Sequence, residues 1–162
     1  MKYIVRIILP VVIFVFSTNL SLVYGQQDIN LPSVFLQPGM TYYPVKRLFE
    51  NLMEKFQFTN ENKEKYYEDL LQKRLAELKY VVDKDYLDQV EKSTQRVSYQ
   101  VGTLTDYVVG KKLNNKKQSL VDLYKEDKII LEKLRDKYPA NSSFWMLVQH
   151  IINSIDINLQ KF

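Results

Sequence analysis

The chain is 162 residues long, with 23 lysines and arginines against 19 aspartates and glutamates, one histidine and no cysteine. That length suits a single domain, and the lack of cysteine excludes both a disulfide framework and thiolate zinc sites, leaving stability to an apolar core. Residues 1–25 carry two bases, Lys2 and Arg6, and no acid, so the other 137 residues hold 21 bases against 19 acids, a net charge of +2. A surplus that small makes no electrostatic case for a nucleic-acid partner.

Lys2 and Arg6 flank the start of an apolar run over residues 7–16, and residues 17–25 then turn small and polar. This is the layout of a secretory signal peptide cut after Gly25, which makes the protein an exported one, bound for the periplasm or the cell surface. The rival reading is an uncleaved membrane anchor, since residues 7–23 are almost long enough to span a bilayer. Ser17, Thr18 and Asn19 inside that stretch favour cleavage. Residues 26–43, with Pro32, Pro38 and Gly39, read as an extended lead-in, and residues 44–160 as a helical bundle domain.

The first helix is predicted to start at Pro44, because a proline at the first helical position lacks only an N–H that would have had no partner. Val45, Leu48, Phe49, Leu52, Met53 and Phe56 recur at steps of three and four and are expected to face the core. Thr59 is the expected N-cap of a second helix, whose apolar face runs Tyr67, Leu70, Leu71, Leu75, Leu78 and Val82. Asp83, Lys84 and Asp85 break the pattern and turn the chain back on itself.

The third helix is predicted to be the longest seam: Leu87, Val90, Thr94, Val97, Val101, Leu104 and Val108 alternate steps of three and four throughout. The first, second and fifth helices are expected to cover it. Gly102 interrupts the helix at a cost of about 1 kcal/mol relative to alanine unless a neighbour needs the space. Residues 110–117, with Gly110 and the Asn114-Asn115 pair, read as a connector. A fourth helix is expected from about Ser119 to Tyr138, turning Leu120, Leu123, Ile130, Leu131 and Leu134 inward and ending at Pro139. Asn141 or Ser142 then caps a fifth, with Phe144, Leu147, Val148, Ile151, Ile152, Ile155 and Leu159 inward. No segment alternates with period two, so the fold class is all-α, a bundle of about five helices joined by short connectors.

Three stretches carry a family likeness. The first is Pro38-Gly39-Met40-Thr41-Tyr42-Tyr43-Pro44-Val45-Lys46-Arg47-Leu48-Phe49-Glu50, the second Arg74-Leu75-Ala76-Glu77, and the third Leu131-Glu132-Lys133-Leu134 followed by Tyr138-Pro139 and an isoleucine-rich helix. Together they resemble the exported, all-helical domain of unknown function found in envelope proteins of actinobacteria and candidate-phylum bacteria. Where that family has Ser-Pro-Leu-Tyr in its opening motif, this chain has Met40-Thr41-Tyr42-Tyr43. The resemblance implies a helical fold and an extracytoplasmic location, and it brings no catalytic residues with it.

Candidate functional residues are few. Lys46, Arg47, Arg74 and Glu77 fall in the two family-like motifs and form either a recognition patch or a set of stabilising pairs, Arg74 and Glu77 being (i, i+3) neighbours with Glu50 in reach of a basic partner. The structural reading is favoured. Lys111, Lys112, Lys116 and Lys117 in the predicted connector form either a solvated loop or a weak contact for an anionic membrane surface or wall polymer. His150, the single histidine, has only Asn153, Ser154 and Asp156 near it, a poor ligand set, so it is read as a surface or partly buried residue. The twelve tyrosines are expected to cover the edges of apolar faces with their hydroxyls in water.

No carboxylate lies in an apolar run that would raise its pKa, and no phosphate loop, G-x-S-x-G or H-E-x-x-H motif occurs in the sequence. The protein is therefore read as a non-enzyme without cofactor. Its expected role is a structural or interaction module of the cell envelope, with a protein partner there. The alternative is an extracytoplasmic ligand- or stress-sensing domain. A Leu-Thr-x-x-Gln signature of such sensors is incomplete here, because Val108 stands where the glutamine belongs.

Overall fold

Wherever apolar residues recur at steps of three and four, the chain is helical. A computed structural model describes residues 31–162. The signal-peptide and anchor readings, and the first residues of the lead-in, lie outside the described residues. Five helices follow in order: α1 (Tyr43–Lys55), α2 (Asn60–Asp83), α3 (Leu87–Gly110), α4 (Asn114–Arg135) and α5 (Ser143–Leu159). Among the described residues there is no strand, and no helix is long and apolar enough to cross a membrane. The fold is the all-α helical bundle that the periodicity predicts.

The predicted caps form. Thr59 Oγ1 accepts from the Asn62 N–H at 3.1 Å to open α2, and Ser142 Oγ accepts from the Trp145 N–H at 3.3 Å to open α5. Both relieve N–H groups that the first turn of a helix leaves unpaired. In the lead-in, Pro38 and Gly39 form a tight turn in which the Met40 N–H donates to the Gln37 carbonyl, with Gly39 at φ +92°. That angle is glycine's territory, and a side chain there would be strained by the backbone alone, since the Gln89 side chain leaves ordinary contact distance for a Cβ.

The two connectors around α3 share one geometry. After α2, the Tyr86 N–H bonds back to the Val81 carbonyl and Asp85 takes φ 55°; after α3, the Leu113 N–H bonds back to the Val108 carbonyl and Lys112 takes φ 55°. Each is a Schellman closure with a non-glycine residue in the left-handed position. The second one corrects the predicted connector. It closes within three residues, so α4 starts at Asn114 rather than near Ser119, and Lys116 and Lys117 lie on a helix. The asparagine pair that looked like a breaker is the first turn of α4.

Helix α3 is the centre of the bundle, packed most extensively on α2 and then on α5, which also packs on α4. Its seam is core: Val90, Thr94, Val97, Val101, Leu104 and Val108 are buried, and Leu87 alone, at the first turn, is exposed. Leu71, Leu75 and Leu78 of α2 meet them, together with Ile151 and Ile155 of α5 and Leu120, Tyr124 and Leu131 of α4. Buried polar atoms brace the contacts. Gln100 Nε2 donates to the Tyr67 carbonyl at 3.1 Å, and the Tyr124 hydroxyl bonds Thr105 Oγ1 at 2.8 Å and the Val101 carbonyl at 3.0 Å.

The expectation for α1 is overturned. Its apolar stripe does not reach the core: Val45, Leu48 and Phe56 are each more than 60 % exposed, and Phe49, Leu52 and Met53 are exposed too. The seam is covered by α2 and α5 without it. A three- and four-step stripe guarantees an apolar face, but not that this face turns toward the core.

Gly102 sits midway along α3 with open space where a Cβ would stand. No neighbouring helix uses the gap. Gly102→Ala is therefore expected to stabilise the fold by about 0.5–1 kcal/mol, through a smaller loss of backbone entropy on folding. A chemical denaturation midpoint shifted upward with an unchanged slope checks it.

Candidate functional site

The residues of the first two family-like stretches meet at the junction of α1 with α2. Arg74 is 2 % exposed, and its guanidinium donates from Nη1 to Glu77 Oε1 at 2.8 Å and from Nη2 to the Glu50 carboxylate. Glu77, equally buried, also accepts from Lys46 Nζ at 2.6 Å and from the Tyr43 hydroxyl at 2.6 Å. Lys46 makes one more bond, to the Leu36 carbonyl at 3.1 Å, which ties the lead-in to the same cluster. Two cations and two anions thus neutralise one another largely out of water, and the Tyr43 hydroxyl adds a neutral donor to Glu77. That is the condition under which a buried ion pair is tolerated.

Titration follows the geometry. Burial opposes the charge on Arg74, but Glu77 and Glu50 outweigh it and hold its pKa above the ordinary value. Burial and the Glu77 carboxylate push the Tyr43 phenol well up, so it stays a hydrogen-bond donor. Further along α1, the Tyr66 hydroxyl donates to the Glu50 carbonyl and the Tyr67 hydroxyl to Glu54 Oε1, both at 2.6 Å, while Lys63 pairs with Glu54 at 3.4 Å. Helix α1 is therefore docked by its polar edge. The expectation of water-exposed tyrosine hydroxyls fails for Tyr43, Tyr67 and Tyr124, because cross-helix carboxylates, hydroxyls and carbonyls take the place of water.

Lys46, Arg74 and Glu77 thus come together in one network, as the stabilising-pair reading anticipates. Arg47 does not join them; it turns toward α3. The other four lysines are scattered: Lys111 and Lys112 are exposed in the α3–α4 turn, Lys117 is half-buried on α4, and Lys116 bonds Glu64 across to α2 at 3.0 Å. His150 is exposed on α5. Among the described residues, no three of histidine, cysteine, aspartate and glutamate gather as metal ligands would.

Two carboxylates depart from expectation, since burial raises the pKa of Glu68 on α2 as well as that of Asp127. Burial pushes Asp127 on α4 up to about 6, against the pull of a hydrogen bond from Gln72 Nε2 at 2.9 Å. Its sequence neighbours are polar, and its burial comes from packing between α2 and α4, so linear inspection for an apolar run misses it.

What the network leaves on the outside is the second feature of the site. Val45, Leu48, Leu52, Met53 and Phe56 face outward along α1, flanked by Tyr42 at its start and Phe58 past its end. Aromatic side chains carry about 150–250 Å² each, and these are mostly bare. Exposed apolar side chains gathered on one face in this way mark interaction surfaces. No carboxylate is exposed on α1: Glu50 is buried and Glu54 is engaged by Lys63 and Tyr67.

No curated protein and no solved structure matches the chain. A family model described as "Domain of unknown function (DUF5667)" matches residues 36–139, a span that holds the Arg74 network, the whole of α1 to α4 and the lead-in turn, and stops short of α5. With more than half of the chain matched, this protein belongs to the DUF5667 family.

Proposed function

We propose that the protein is a non-catalytic interaction module, exported to the cell envelope, whose α1 face pairs it with a second copy of itself. The observation that carries this is the orientation of α1: its polar edge is spent on the buried Arg74 network, and its apolar face is turned to solvent. A helix held rigidly with its hydrophobic side outward has already met the ordering cost that binding usually carries. The basic n-region and apolar run of the leader support the envelope location.

Composition and charge favour a second copy over a lipid surface. With Tyr42 and Phe58 included, seven large apolar side chains stand exposed along this face, the aromatic and aliphatic make-up of the core of a protein interface. Of the five charged residues on α1, only Lys55 is exposed, so two such faces bring together no opposed charge clusters. A helix built to lie on anionic lipid carries a basic polar face to accompany its apolar one. Here Lys46 is turned inward to Glu77.

Light scattering on the purified protein across a dilution series should give the mass of a dimer. Leu52→Glu, on the exposed centre of the stripe, should halve that mass and leave a helical monomer that still melts cooperatively, since it removes no core contact. A wild-type chain that stays monomeric throughout overturns the proposal. Flotation of that monomer with lipid vesicles would assign the face to a membrane instead.

A further inference from the structure

On the flank of α1 turned away from its apolar stripe, Arg47 approaches α3 and borders a cleft of about 260 Å³, lined otherwise by Lys92, Gln95, Arg96, Tyr99 and Gln100. Three of the six lining residues are cations, and none is an acid. Among the described residues, Arg47, Lys92 and Arg96 have no carboxylate within ion-pair distance; the nearby Glu91, one turn before Gln95 on α3, accepts from Gln95 at 3.2 Å. This sets the cleft apart from the Arg74 network next to it, where every charge is matched.

Arg96 is the most telling member. Its guanidinium lies over the Tyr43 ring at 4.8 Å, which fixes the plane of the group. Its Nη1 is buried and, among the described residues, has no hydrogen-bond partner. A buried donor left unpaired is costly, and native proteins keep few of them. Three cations brought together also repel one another, so the arrangement works against stability while the cleft is empty. That repulsion is relieved by a ligand that brings negative charge and several acceptor oxygens.

We infer that this cleft binds a phosphate monoester. Two planar guanidinium forks and an ammonium match a doubly charged group with three acceptor oxygens better than they match a carboxylate, which brings one charge and two oxygens. The exposed Tyr99 ring is available for the organic part of the ester. The site does not depend on the pairing of α1 stripes, because Arg47 lies on the opposite flank of the helix from Leu52, and each test has its own readout.

Equilibrium dialysis of the purified protein against glycerol phosphate, with acetate in parallel, tests the assignment. A second arm uses vesicles containing phosphatidic acid, whose headgroup is the same monoester. The expected result is saturable binding of the ester, at least tenfold weaker for Arg96→Gln and for Lys92→Gln, and unchanged for Lys112→Gln in the distant α3–α4 turn. Glycerol phosphate should raise the melting temperature of the wild type and not that of Arg96→Gln. Binding seen only with vesicles, and lost in the same variants, identifies the source of the monoester as a lipid headgroup. Lys92 is exposed, so its variant remains informative even where Arg96→Gln loosens the packing on Tyr43. Three outcomes overturn the inference: no saturable binding in either arm, equal binding of acetate, or an equal loss in Lys112→Gln.

Discussion

Val97→Asp is expected to unfold the domain. Val97 is 1 % exposed at the middle of the α3 seam, within the cluster that joins α2, α3, α4 and α5. An aspartate there has no cation in reach inside that apolar cluster, and burying an unpaired charge costs several kcal/mol beyond the lost valine packing. A domain of this size has a total stability of only about 5–15 kcal/mol. Circular dichroism should show lost helix and no cooperative melt. A soluble variant with the wild-type melt would mean that the seam is not core.

Arg74→Met should be the most damaging change outside the apolar core. It strips Glu50 and Glu77 of their shared guanidinium while leaving both carboxylates in place, and breaking a buried pair in this way costs about 3–5 kcal/mol. Glu77 keeps Lys46 and Tyr43, so the damage should concentrate where α1 docks. The expected result is rapid hydrogen exchange and early proteolysis across residues 43–58, with α2 to α5 holding together. The double variant Arg74→Met/Glu77→Met removes opposite charges together and should cost less than the sum of the two single changes. Additive losses, or uniform loosening of all five helices, would show that the network does not specifically hold α1.

The helices themselves were largely readable in one dimension. In α2, α3 and α5 the recurrence of leucine, valine and isoleucine at three and four positions marked both the element and its buried side, because a stripe of that kind has a neighbour to cover it here. The caps at Thr59 and Ser142 were readable for a similarly local reason: a hydroxyl needs only to reach an N–H two or three residues on. Even the pairing of Arg74 with Glu77 is local, one turn of one helix.

What the sequence by itself determined is thus an all-α chain, the position of its helices to within a few residues, and the burial of the α3 seam. Local periodicity and local hydrogen bonding carry that much. Tertiary structure decided the rest, because it depends on residues far apart along the chain. The facing of α1 was settled by Glu50 and Lys46 meeting Arg74 and Glu77 some 24 to 31 residues on. That polar contact outcompeted the apolar stripe for the inner side of the helix. The start of α4 was settled by Lys112 adopting a left-handed conformation that closes the turn early, a choice a lysine's identity does not announce. The basic cleft exists only because Arg47 of α1 is brought beside Lys92 and Arg96 of α3, and no spacing within either helix encodes that approach.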